Sequence, residues 1–189
     1  MIANNYCDIN ISTLLASPYN TAVSDSIYAK VTATNFYGES AQSTEGNGAT
    51  YTTVPDAPIS IAENVSKRTS TDIGLTWSDG TSNGGLAVID YRISQRIQSG
   101  SYSIIATGIT LQAFTATGLT LGTTYEFAVE ARNSNDYGSA SSDFTILHAI
   151  APEVPSAPTT TNSGTNVVID WSAPVDNGST ITSYTVTIL

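Results

Sequence analysis

The side chains of this 189-residue chain that could do chemistry are few and scattered. Its single histidine, His148, follows an apolar run and has no second histidine with which to share a proton or a metal, so it reads as structural rather than as a general base. The single cysteine, Cys7, alternates with Ile9 and Ile11, which points it to a core face instead of a thiolate-stabilising pocket and leaves no partner for an internal disulfide. The carboxylates are dispersed and form no metal-ligand string of calcium-loop spacing, with Asp170 and Asp176 near the last loop as a weak exception. Gly84-Gly85 is followed by no helix and is a turn, not a phosphate cradle. No catalytic, metal-binding or cofactor-binding residue is expected, and the chain does not read as an enzyme. Three Asn-x-Ser triplets, at Asn10, Asn64 and Asn177, fit the N-glycan acceptor pattern, and Thr159-Thr160-Thr161 is an expected O-glycan run. Asn177 sits in a tight Asp-Asn-Gly-Ser turn that it also suits as a turn former.

The charge balance narrows the partners. Lys and Arg total 6 against 16 Asp and Glu, a formal net charge of −10, which excludes the clustered cations that nucleic acid or an anionic membrane surface requires. No apolar run approaches the ~18 residues of a membrane helix, and the N-terminus lacks a charged-then-apolar leader, so neither membrane insertion nor a targeting segment is expected. Charged residues are only 12% of the chain, while 24 Ser and 28 Thr supply its polarity. A surface made polar by hydroxyls suits an extracellular or cell-surface β-rich protein, since β-branched Thr also favours strands.

The elements that organise these residues repeat. Val54-Pro55-Asp56-Ala57-Pro58 returns as Val154-Pro155-Ser156-Ala157-Pro158, and each copy leads into a strand-like run ending in Trp, at Trp77 and Trp171. A Gly loop follows, then an apolar-Tyr strand, Ile89–Ile93 around Tyr91 or Ser183–Val186 around Tyr184. Val31-x-Ala33-x-Asn35 likewise returns as Val129-x-Ala131-x-Asn133, each running into Tyr-Gly. Inside the repeat the period is two: Tyr125, Phe127, Val129 and Ala131 alternate with Glu126, Ala128, Glu130 and Arg132, an apolar face on a core and a charged face toward water. Short strands punctuated by Gly, Asn and Pro predict an all-β, antiparallel sandwich architecture with stiff Pro-flanked junctions.

The Pro-rich lead-in, Trp77, Tyr91 and the run Leu119-x-x-Gly122-x-x-Tyr125 together resemble fibronectin type III repeats, and the resemblance extends along the whole chain. It implies that Tyr125 ties down a crossover loop as a tyrosine corner, with Trp77, Tyr91 and Leu119 as core hallmarks. The first copy departs by carrying Ile27 where Tyr125 stands, so its corner is expected around Pro18-Tyr19-Asn20. Residues 54–153 read as one complete module. Residues 1–53 hold the later strands of another, over Tyr6–Leu14, Ile27–Asn35 and Ser40–Thr53, and residues 154–189 hold the first three strands of a third. Met1 aligns opposite Ser99 and Leu189 opposite Arg96, so the two halves tile one module.

The leading expectation is a structural protein, a glycosylated extracellular filament. Its copies associate head-to-tail, as a homopolymer or as a continuous repeat array, through Ile27, Ala29 and Val31 on one half and Val167, Ile169, Trp171, Tyr184 and Val186 on the other. Two alternatives stand beside it: a ligand-binding or adhesive ectodomain, with Tyr19 and Tyr102 as its exposed aromatics, and a spacer array attached to an enzyme.

Overall fold

The computed structural model describes residues 6–188 and divides into two compact units. The first joins the chain up to Ala57 to Asp79–Ile89 and Ala131–Ser139; the second joins Pro58–Ser78 to Asp90–Glu130 and the chain from Ala140 onward.

In the first unit the expected strand over Tyr6–Leu14 is instead a single helical turn, α1 (Ile11–Leu15). Asn10 starts it: its side-chain oxygen accepts the Ser12 amide at 2.9 Å, a local bond that competes with strand pairing. Cys7, Ile9 and Ile11 therefore lie exposed and not on a core face, and only Leu14 of this turn is buried. The next strands are short. β1 (Ser26–Ile27) will pair with β4, while β2 (Thr34–Asn35) pairs with β3 (Gly38–Glu39), and β4 is Ala49–Thr50. Between them two serines interrupt the ladder. Ser40 Oγ accepts the Ala33 amide and Ser43 Oγ accepts the Val31 amide, each at 3.0 Å, taking donors that a neighbouring strand would otherwise use. The chain does turn around Pro18-Tyr19-Asn20, where the Tyr19 and Asn20 amides donate to Ala16 O and the Tyr51 hydroxyl donates to Thr21 O, but the Tyr19 side chain itself is exposed.

In the second unit the period-two pattern becomes a two-layer sandwich. One sheet is β5 (Ile59–Asn64), β6 (Ile73–Ser78) and β9 (Ala113–Ala116); the other has the order β11-β10-β7-β8, with β7 Asp90–Ile97, β8 Ser103–Ile109, β10 Thr124–Arg132 and β11 Phe144–Leu147. Ile73, Leu75 and Trp77 of β6, Tyr91 and Ile93 of β7, and Tyr125, Phe127 and Val129 of β10 are at most 5% exposed. Trp77 and Tyr91 meet edge-to-face at 5.3 Å between centroids. The charged face of β10 is drier than expected: Glu126 is buried because Arg96 pairs with it and with Asp143, while Arg92 pairs with Glu130.

The corner at the start of β10 is held by side chain and backbone together. The Thr120 amide donates to the Tyr125 hydroxyl at 3.0 Å, the Gly122 amide to His148 O at 2.8 Å, and the His148 amide to Thr123 O at 2.9 Å. Leu119 is buried beneath it. His148 is fully buried, with Nε2 donating to the Thr69 carbonyl at 3.0 Å, a crosslink between loops.

Among the described residues beyond 158 the strands are β12 (Thr159–Ser163) and β13 (Asn166–Asp170), paired so that Thr160 faces Ile169 and Asn162 faces Val167. The strand expected over Ser183–Val186 does not form. Its counterpart β7 is held between β10 and β8, and nothing equivalent flanks residues 183–186. The alignment of Met1 and Leu189 with the middle module lies outside the described residues.

Replacing Tyr125 by Phe leaves the Thr120 amide without its acceptor inside a half-buried corner. Urea unfolding of the Tyr125→Phe chain is expected to show the sandwich about 1–2 kcal/mol less stable with an unchanged m-value. An unaltered midpoint would show that backbone bonds alone hold the corner.

Candidate functional site: two module junctions

The described residues bring together no reactive cluster. No group of three or more His, Cys, Asp or Glu side chains among them is placed to hold a metal. What recurs instead is a way of fastening a linker to a loop.

In the first unit the Thr53 amide donates to Gly84 O at 2.9 Å, and the Asp56 amide to Ser82 O at 2.8 Å. In the second, the Ile150 amide donates to Asn177 O at 3.1 Å and the Glu153 amide to Val175 O at 2.9 Å. Both are two-bond clamps of one pattern, offset from each other within the repeat: linker residues three apart grip loop residues two apart. Proline explains why the linkers are free to do this. Pro55, Pro58, Pro152, Pro155 and Pro158 deny these stretches a regular ladder, so their remaining amides must find loop carbonyls.

Glycine lets the loops come close. Gly84 has φ +73°, and a Cβ there would lie 2.1 Å from Thr53 O; Gly178 has φ +90°, and a Cβ would lie 2.3 Å from the Gly122 amide nitrogen. Both positions need the left-handed backbone and the missing side chain at once.

Asparagines complete the clamps. Asn133, 2% exposed, donates Nδ2 to Thr53 O at 2.7 Å and to Asn83 O at 2.9 Å, stitching linker to loop. Its Oδ1 accepts the Asn135 amide, and Asn135 in turn donates to Thr52 Oγ1 at 2.9 Å. Ser82 and Asp56 add a further bond from the Ser82 amide to Asp56 Oδ2 at 2.9 Å. At the second clamp Asn177 Nδ2 donates to Ala151 O at 2.7 Å.

The remaining residues singled out in the sequence fall as follows. Asn177, proposed for glycosylation, uses its side-chain nitrogen inside the clamp. Asn64 ends β5 and does not lie in a loop; like Asn10, it accepts the amide and hydroxyl of the serine two residues on. Trp171 and Tyr184 meet at 5.4 Å, as Trp77 and Tyr91 do, yet they are 39% and 42% exposed. Val31, Val167 and Val186 are exposed, Ala29 also, and Ile27 and Ile169 half-buried. Tyr102 lies against Arg96, its ring centroid 4.4 Å from the guanidinium; burial and a hydrogen bond with Asp143 push its phenol up to about 12, against the opposing pull of Arg96. The most exposed aromatics are Phe36 and Tyr37 at the β2–β3 tip, hidden in the sequence because Tyr37-Gly38 is part of the repeat signature. Their rings meet at 88° and offer no shared flat platform.

Two features escaped the sequence. One is the serine lock. Ser43 bonds Val31 through its hydroxyl and its amide, at 3.0 and 2.9 Å, and Ser141 bonds Val129 with the same two distances. The other is Asn133 as a stitch. The repeat of Val-x-Ala-x-Asn was the signal for both, read there only as a strand signature.

Residues 58–146 match the family model of the fibronectin type III domain, and this stretch is such a domain. The chain is 33% identical to endoglucanase B of Cellulomonas fimi over 118 residues, 58% of this chain and 11% of the relative. It is 31% identical to a chitinase of Paenibacillus xylanexedens over 138 residues, 72% of this chain and 24% of the relative. It thus spans between a tenth and a quarter of the length of these curated relatives. A crystal structure of domains from titin superimposes with a TM-score of 0.50 at 20% identity, over 68% of this chain and 42% of that one, a likeness of fold. Relatives that are hydrolases, matched only over a minor part of their length, do not support the filament expectation; they favour the spacer.

The clamps can be loosened one group at a time. In Asn133→Ala, amide exchange at Thr53 and Asp56 is expected to quicken about tenfold, while Leu75 and Phe127 keep wild-type protection. Gly178→Ala should do the same to Ile150 and Glu153. Unchanged exchange at these four amides would show that the clamps are incidental.

Proposed function

We propose that this chain is a spacer segment of fibronectin type III modules in a longer, secreted polysaccharide-degrading enzyme, and that its work is to hold module against module at a set spacing. The observation that carries this is the recurrence of the clamp: the same pair of backbone bonds fastens the linker at 53–56 and the linker at 150–153. A flexible Gly/Ser linker of n residues wanders over roughly 5–6 Å × √n. A linker bonded to a loop through two amides does not, so its own course is fixed where it is clamped.

The endoglucanase and chitinase relatives supply the class of enzyme, acting on glucan or chitin. The hydroxyl-rich, acidic surface suits an extracellular setting, where net negative charge keeps an extended array soluble. Glycosylation at Asn10 or Asn64 has no part in this function.

Sequencing the full reading frame that contains this stretch is expected to reveal a glycoside hydrolase catalytic domain in the same polypeptide. The 189-residue chain by itself is expected to release no sugar from cellulose or chitin. A frame with no hydrolase domain, or sugar release by this chain alone, would overturn the proposal.

A further inference from the structure

An asparagine followed by glycine carries a reaction of its own. The glycine nitrogen, unshielded by any side chain, can attack the asparagine Cγ and close a five-membered imide. The chain has three such pairs, Asn47-Gly48, Asn83-Gly84 and Asn177-Gly178, and the last two lie on the loop side of the two clamps. These two hold their side-chain amides in opposite ways.

At the first clamp Asn83 is exposed, and its Oδ1 accepts the Gly85 amide at 2.9 Å. That bond polarises the side-chain carbonyl and is already in place for the oxyanion that the attack creates. The group that must leave, Nδ2, makes no hydrogen bond among the described residues. The Gly84 amide donates to Ser82 Oγ at 3.1 Å, a hydroxyl through which its proton can pass to water. At the second clamp the arrangement is reversed. Asn177 Nδ2 donates to Ala151 O at 2.7 Å, and no donor among the described residues reaches its Oδ1. The Gly178 amide donates to Asp176 Oδ1 at 3.1 Å, a carboxylate whose charge opposes formation of an amide anion.

We infer that Asn83 is a site of spontaneous deamidation that releases the first clamp, whereas the second clamp shields its own asparagine. The Gly84 nitrogen loses its proton to water and bonds Cγ; the Cγ–Nδ2 bond then breaks, and the nitrogen takes a proton back and departs as ammonia. Water opens the resulting imide at either carbonyl. Addition at Cγ restores the ordinary backbone with an aspartate. Addition at the main-chain carbonyl leaves isoaspartate, whose backbone runs through Cβ and Cγ and is longer by one methylene. One water is consumed, one ammonia is released, and nothing is oxidised or reduced.

The loop has no room for that methylene. A Cβ on Gly84 would already lie 2.1 Å from Thr53 O and 2.7 Å from Val54 O. Gly84 O accepts the Thr53 amide and Asn83 O accepts Asn133 Nδ2. In isoaspartate the Asn83 carbonyl becomes a free carboxylate and Gly84 is displaced, so the Thr53 amide loses its acceptor. The inference concerns covalent chemistry and does not rest on the spacer function; each can fail without the other.

Peptide mapping by mass spectrometry tests it on the full 189-residue chain kept for weeks in mildly alkaline buffer, with isoaspartate identified by electron-transfer fragmentation. In the folded chain Asn83 is expected to convert about tenfold or more faster than Asn177, because the bond on the Asn177 leaving group must first open. In urea, where both clamps are undone, the two rates should converge. Asn83→Gln, whose longer side chain cannot close the same ring, should abolish conversion at that position and leave Asn177 unaffected. In the chromatographically separated isoaspartate form, hydrogen exchange at the Thr53 amide should quicken about tenfold, with Ile150 and Glu153 as before. Equal rates at Asn83 and Asn177 in the folded chain would overturn the inference. So would an Asn83 that stays intact when folded yet converts in urea, or an isoaspartate form whose Thr53 amide is protected as in the unreacted chain.

Discussion

A β-strand presents a large side chain to the same face every second residue, and it has no means of covering that face itself. Much of this chain follows from how two such faces close on each other around a Trp–Tyr pair. Fully burying a side chain of this size is worth about 1.5–3 kcal/mol over leaving it wet. In the middle module Trp77 of β6 meets Tyr91 of β7 across the two sheets, Phe127 and Val129 of β10 belong to the same sheet as Tyr91, and all four are at most 4% exposed. Strand formation itself depends on that closure. Tyr91 lies in an eight-residue strand because β10 and β8 flank it, whereas Tyr184, with a Trp ring partner at nearly the same distance, lies in no strand.

The junctions obey a second constraint, the need of a proline-broken backbone to pair its remaining amides. Loops that present carbonyls at the right separation satisfy them, and at the first clamp Gly84, with φ +73°, lets loop and linker approach. The result fixes linker to loop with main-chain atoms. Sequence drift in the other surrounding side chains therefore leaves it intact, provided the glycine and the clamp asparagines stay. A recognition surface in the loops would be built the opposite way, from variable side chains on flexible backbone. The clamps thus speak for positioning rather than for binding.

Much of this was legible in the residues. The period of two over Ile73–Trp77 and Tyr125–Ala131 gave the strands and their inner faces, and the returning Val-Pro-x-Ala-Pro gave the junctions. What was not legible was local competition. Nothing in the alternation of Cys7, Ile9 and Ile11 shows that Asn10 will turn the chain into a helix by capping Ser12, or that Ser40 and Ser43 will take amides from the ladder. Polar side chains that bond their own backbone are invisible to a pattern of apolar spacing. The buried Glu126 was missed for a related reason: a carboxylate was assigned to water, when Arg96 and its long stem cover it. Asn133 was seen only as part of a motif, since its two acceptors lie 80 and 50 residues away in sequence.

The central claim is that the Trp77–Tyr91 pair is buried between the two sheets of a sandwich, whereas the Trp171–Tyr184 pair, of nearly the same ring geometry, lies open to water. Acrylamide quenching of the chain's two tryptophans, isolated in Trp171→Phe and Trp77→Phe variants at submicromolar concentration, measures this directly. The Trp77 signal should be blue-shifted and nearly unquenched, and the Trp171 signal red-shifted and strongly quenched. Equal, low quenching of both at that dilution would contradict the account.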